Sequence, residues 1–192
     1  MNRSNKTYFE ILIGILLGII ISIFLFPKEA WSAEPVLIVP NGTTVVEDIS
    51  HPNFQEVKEA EQYLSENRIV IPEHIKGYCK QYGKEYGICP EILMAICWVE
   101  SNCIEDIDNS QGCKGLMQVK HSCHRARMER LNCTDLHNAE ENIRVGTDYL
   151  AELLETNDIR LSLALYNGHT NVNAGYINKV LKIAHALEVV HF

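Results

Sequence analysis

Residues 92–99 are apolar without a break, and no other stretch beyond residue 50 is as uniform. A helix built on that run has no polar face, which predicts a central element with neighbours all round it. Pro90 suits its first position, where a missing N–H costs nothing. Upstream, residues 72–86 read as a helix opened by Pro72 and stopped by Gly87. Tyr78, Tyr82 and Tyr86 recur at four-residue spacing along it. A stripe of that kind reads as packing against the next helix in preference to a sugar platform. Residues 54–67 read as an amphipathic helix with Phe54, Val57 and Leu64 on one side, either packed on the domain or standing off as a stalk. Residues 102–114 are a polar, Gly-containing loop. Residues 116–119 begin the next element, and helical spacing returns over 142–154, 161–166 and 176–187. Residues 120–130 carry Lys120, Arg125, Arg127 and Arg130 with a single acid, Glu129. That run reads as a solvated helix face in preference to a contact for substrate carboxylates. From residue 72 onward the chain is mainly α.

The N-terminus follows a different pattern. Residues 11–26 are apolar or glycine apart from Ser22, and Arg3 and Lys6 precede them. The run is longer than a usual signal core and slightly short of a full span. Cleavage after Ala33 puts Trp31 where a small residue is wanted, so residues 1–33 read as an uncleaved membrane anchor in preference to a cleaved signal segment. Either way the basic flank stays inside and the rest of the chain is exported, tethered or secreted. Residues 36–46 hold an Asn-Gly turn between β-prone runs, a hairpin signal weakened by Pro40.

Composition narrows the function. With 192 residues, 46% of them apolar, there is room for one real core and a short extension. The net charge is −8, and −9 without residues 1–33. An acidic chain is a poor partner for nucleic acid, so none is expected. Global charge does not draw it to other anionic polymers either, so recognition of such a polymer must be local. The seven cysteines fit an oxidising compartment, and their odd number leaves at least one thiol unpaired. Cys97, inside the apolar run, is the expected free one. Cys103–Cys113 and Cys123–Cys133 are plausible disulfides because each closes a loop. Cys113, His121, Cys123, His124, Cys133 and His137 lack the spacing of a zinc site, so no metal or cofactor is expected.

Glu100 closes the central run. It lies four residues after Ile96 and seven after Leu93, on their face. Apolar surroundings disfavour the charged carboxylate, and the negative end of the helix dipole pushes the same way. A glutamate kept protonated near neutral pH is what general acid catalysis on a glycosidic oxygen requires. Most acids are merely solvated, so the surrounding motifs decide.

Glu100-Ser101, then Gly115-Leu116-Met117-Gln118-Val119, then Leu163 to Gly168 with Tyr166-Asn167, then Tyr176 stand in order along the chain. This ordered set resembles the lytic transglycosylase (SLT) domain family of the lysozyme-like superfamily. The resemblance covers roughly residues 71–187. It implies a lysozyme-like catalytic domain over 71–192, behind a spacer at 34–70 and the anchor or signal at 1–33. It also implies an enzyme that cuts the β-1,4 bond between N-acetylmuramic acid and N-acetylglucosamine in peptidoglycan glycan strands.

By the same resemblance Glu100 is the sole general acid and base, with a 1,6-anhydromuramyl product that consumes no water. Ser101, Met117, Gln118, Tyr166, Asn167 and Tyr176 fall on the family's substrate-groove positions. The chain departs from the family pattern at Cys103, Cys113 and Leu165. A hydrolytic lysozyme is the rival reading, with Glu105, Asp106 or Asp108 directing water. An anchor on a small domain favours local piercing of the wall, beside a secretion or conjugation machine, over bulk lysis.

Overall fold

The computed structural model describes residues 52–172 and 175–191, and both the N-terminal apolar run and the hairpin signal lie outside them. Helix α1 spans Phe54–Glu66, α2 Glu73–Tyr86 and α3 Pro90–Ser101. A two-stranded ribbon follows, β1 (Cys113–Lys114) and β2 (Val119–Lys120), then α4 (His121–Leu131), α5 (Ala139–Leu154), α6 (Ile159–Tyr166) and α7 (Gly175–His191).

Helix α3 is the predicted central element. Leu93, Met94, Ala95, Ile96 and Cys97 are all fully buried, and α2 and α7 pack against it. Burying a Leu, Ile or Met side chain contributes about 1.5–3 kcal/mol. That outweighs the modest helix propensities of Ile, Cys, Trp and Val, which fall short of Ala by up to about 0.7 kcal/mol each. The helix starts at Pro90 and ends in two consecutive left-handed residues, Asn102 (φ 51°) and Cys103 (φ 61°). The Asn102 N–H donates back to Trp98 O and the Cys103 N–H to Cys97 O, so backbone donors cap the last turn.

The tyrosine stripe packs on helices as expected, but its hydroxyls reach α5 and not the next helix, α3. Tyr82 is buried and donates to Glu140 Oε1 at 2.9 Å, and Tyr86 donates to Asp148 Oδ1 at 3.1 Å. Both acceptors stand on α5, so the stripe seats α2 on α5. Helix α1 is opened by an Asn53–Glu56 capping box and packs on α7, where Lys182 Nζ sits 4.2 Å from the centre of the Tyr63 ring. The stalk alternative is therefore excluded, and Phe54 faces solvent instead of sharing an apolar side with Leu64.

The cysteines require a correction. All seven are free thiols, and neither Cys103–Cys113 nor Cys123–Cys133 is a disulfide. Cys103 packs on the core beneath α3, whereas Cys113 lies in β1 at the edge of the cleft described below. Cys123 is exposed on α4, while Cys133 is buried with its thiol 3.6 Å from Leu131 O. Cys97, the expected free cysteine, is free and fully buried, and its contact with Cys79 together with burial holds its thiol well above the usual range. Among the described residues no helix is long and apolar enough to cross a membrane.

Candidate active site

The turn at residues 115–118 is the structural keystone of the site, and it is fixed by side chains from three helices. Gly115 sits at φ 69°, and a Cβ there would stand 2.1 Å from Leu136 O and 2.3 Å from Asn142 Nδ2, so no other residue fits. Asn142, fully buried on α5, holds the turn at both ends: Oδ1 accepts from Met117 N–H at 2.8 Å, and Nδ2 donates to Lys114 O and Leu136 O at 2.9 and 2.7 Å. From α3, the buried Ser101 hydroxyl lies 2.8 Å from both Cys97 O and Leu116 O and shares its hydrogen between them. From α6, Tyr166 donates to Met117 O at 2.9 Å. The Met117 side chain is buried against Gly146, where a Cβ would meet its sulfur at 2.6 Å.

Below this turn opens a cleft of about 540 Å³, lined by Glu100, Gln118, Tyr166 and Asn167 among others. Ser101 and Met117 do not line it; they sit behind its wall. Gln118, in the left-handed region at φ 49°, donates its amide to Ile107 O (3.2 Å) and Gly115 O (3.0 Å). Asn167 caps α6, donating its N–H to Leu163 O.

Glu100 is half-buried at the end of α3, and burial raises its carboxyl above the ordinary glutamate value. The Tyr176 hydroxyl opposes that shift. It is buried next to the carboxyl, close enough to favour the carboxylate yet outside well-formed hydrogen-bond geometry, and it has no other partner. Burial and the nearby Glu100 charge also keep the Tyr166 and Tyr176 phenols protonated. Glu100 thus faces two neutral aromatic hydroxyls, one committed to Met117 O and one free to turn toward it.

Two cations of the basic run, Arg127 and Arg130, are paired with acids. Arg127, nearly buried, donates from Nε to Asp148 Oδ2 at 2.6 Å, from one terminal nitrogen to Glu152 and from the other to His124 Nδ1 at 2.8 Å. Arg130 pairs with the same Asp148 at 2.7 Å. The loop acids are also occupied: Asp108 by His137 (2.6 Å) and Lys114 (3.0 Å), and Glu105 by His74 (2.7 Å). Glu105, Asp106 and Asp108 do not line the cleft; the carboxylates that do are Glu100 and Glu152.

Sequence reasoning missed Asn142, Tyr149 and Glu152, and it weighed Arg127 and His124 only as a carboxylate contact and a zinc ligand. Asn142 interrupts an otherwise apolar helix face, which is the one signal that was available. The ion pairs span about 20 residues of chain and left none.

The chain matches the family model described as the transglycosylase SLT domain over residues 77–184. No curated protein matches it. The matched span is more than half of the 192 residues and runs from the α2 stripe through Glu100 and the three-helix turn to Tyr176. This protein belongs to the SLT transglycosylase domain family of the lysozyme-like superfamily, the peptidoglycan lytic transglycosylases.

Proposed function

We propose that Glu100 is the single catalytic acid and base of this transglycosylase and that its product carries a 1,6-anhydromuramyl end. The protonated carboxyl gives its hydrogen to the oxygen linking N-acetylmuramic acid to N-acetylglucosamine. The resulting carboxylate then takes the proton of the muramyl 6-hydroxyl as that oxygen attacks the anomeric carbon. One carboxyl group serves both steps and no water enters. The Tyr176 hydroxyl donates to Glu100 during the interval in which it is charged. Gln118 and Asn167 contact the sugar, Tyr166 forms the wall beneath it, and Ser101 and Met117 hold that wall in position.

The observation that carries this reading is the isolation of Glu100. Its carboxyl is raised by burial, and of the loop acids that a water-directing mechanism would use, Glu105 is committed to His74, Asp108 to His137 and Lys114, and Asp106 does not line the cleft. Glu152, the other cleft carboxylate, is held by Arg127. We further propose that the domain works outside the cytoplasm, held at the membrane by residues 1–33, beside a secretion or conjugation machine that must pass the wall.

Mass spectrometry of muropeptides released from purified peptidoglycan tests the chemistry. Anhydro ends are expected. A reducing muramic acid end, together with loss of activity in Asp106→Asn or Asp108→Asn, would replace this reading with a hydrolytic lysozyme.

A further inference from the structure

His124 is held in one protonation state and one tautomer by its neighbour. A guanidinium has only donors and does not lose its proton. Arg127 points one of those donors at Nδ1 from 2.8 Å, so Nδ1 accepts and the ring hydrogen resides on Nε2. An imidazolium has no acceptor to offer Arg127, so the contact also excludes the charged ring. Burial and the Arg127 charge both lower its pKa. The ring is clamped against Tyr149, with centroids 4.5 Å apart, and Tyr149 continues to Tyr166 at 5.3 Å. Arg127 lies 5.0 Å from the centre of the Tyr149 ring and completes the clamp. His124, Tyr149 and Tyr166 all line the cleft. The His124 Nε2–H has no protein acceptor among the described residues, and it is not sealed from solvent. A fixed, neutral, unspent donor therefore borders an aromatic floor in the groove that holds Glu100.

Charge selects the acceptor class. Arg127 is neutralised by Asp148 and Glu152, and Glu152 itself lines the cleft. Lys120 also lines the cleft, but beside the His124 ring a substrate carboxylate gains no free guanidinium and meets the like charge of Glu152. A neutral carbonyl oxygen meets neither cost, and an apolar group beside it finds the tyrosine rings. An acetamido group has both parts.

We propose that His124 is a specificity residue: its Nε2–H donates to the carbonyl oxygen of a substrate N-acetyl group, whose methyl rests on the Tyr149 ring. The assignment rests on the peptidoglycan reading of the cleft but not on the identity of the product.

Binding of the N-acetylglucosamine hexamer, and of its fully de-N-acetylated counterpart, to full-length protein carrying Glu100→Gln tests it, since the glycan is then bound and not cut. His124→Asn leaves an oxygen for Arg127 but brings no donor as far as Nε2. His124→Gln restores a donor near that point. Because each variant is neutral like the original ring, the amine charge of the de-N-acetylated sugar cancels in the comparison.

The expected result is about fivefold or more weaker binding of the acetylated hexamer by His124→Asn, the low end for a carbonyl left unpaired. His124→Gln should stay within about threefold of the parent, and the de-N-acetylated hexamer should not distinguish the proteins. Equal weakening for both sugars, or none for either, overturns the proposal. With Glu100 intact, His124→Asn should raise KM on peptidoglycan and leave kcat unchanged, whereas a fall in kcat at constant KM overturns it. A reducing-end product would remove the lyase mechanism while leaving these binding comparisons as they stand.

Discussion

The Ser101 hydroxyl lies 2.8 Å from the backbone carbonyl of Leu116, so the residue after Glu100 is tied directly to the turn that walls the cleft. Ser101 is buried, and a substituent lacking the hydroxyl leaves Leu116 O without that donor. Ser101→Ala should cost about 1–2 kcal/mol in urea unfolding, the size of a lost buried hydrogen bond. It should also reduce kcat more than stability loss explains, because the turn moves relative to Glu100. A variant with wild-type kcat would show that the tie is structural only.

Glu100→Gln keeps the shape of the side chain and cannot donate a proton to the leaving oxygen. Glycan cleavage should fall by about 10²–10⁴, the usual worth of a general acid–base group. Stability should move the opposite way. The folded-state carboxyl is raised above its unfolded value, so its favourable contribution is full below about pH 4.3 and is lost as pH rises through the folded value. At neutral pH the glutamate is therefore a burden, and Glu100→Gln should raise Tm. An unchanged or lower Tm at pH 7, with the variant as stable as the parent at pH 3, would contradict the burial of this carboxyl.

Asp148 joins α2, α4 and α5 through Tyr86, Arg127 and Arg130. Burial works against its carboxylate, but hydrogen bonds from Arg130, Arg127 and Tyr86 outweigh that and hold it below the usual aspartate value. Its stabilisation is full above about pH 3.9 and is lost as pH falls through the lower folded value. Asp148→Asn should cost about 3 kcal/mol at pH 7, because it leaves nearly buried Arg127 short of a counter-charge. The difference from wild type should shrink as the pH is taken toward 2. A constant difference across that range would mean that the charge plays no part.

The thiols should separate by burial. Cys79 and Cys97 are fully buried, Cys103 is pushed up to about 12 and Cys89 to about 11, in both cases chiefly by burial. Exposed Cys123 should therefore alkylate first in the native protein at pH 8, with Cys79 and Cys97 reacting only after unfolding. Reagent consumption by the denatured, unreduced chain should approach seven thiols. Prompt native-state labelling of Cys97 would contradict the packing of α3 on α2.

Elements governed by local pattern were legible before any coordinates. The apolar run of α3, Pro90 at its start and Glu100 at its end stand where the spacing put them, and the tyrosine stripe of α2 packs as its period implied. The β1–β2 ribbon was not legible, because strands of two residues are too short for any alternation to register. The basic run of α4 reads as a solvated face until α5 supplies Asp148 and Glu152, and no local rule brings residues so far apart in sequence together. The Cys79–Cys97 contact is hidden for the same reason: loop-closing arithmetic favours near neighbours, while helix packing joins α2 to α3. Ser101 and Met117 lie in the motif, but only packing shows that they face away from the cleft.

The turn over residues 115–118 takes its backbone partners from α3, α5 and α6 at once. No one of these helices can fray without releasing part of it. Catalytic competence is thereby coupled to the unit these three helices form, since no sub-global opening frees one of them and spares the turn. In a denaturant titration the loss of glycan cleavage should overlay the loss of helical signal, and a folded but inactive species should not accumulate between them.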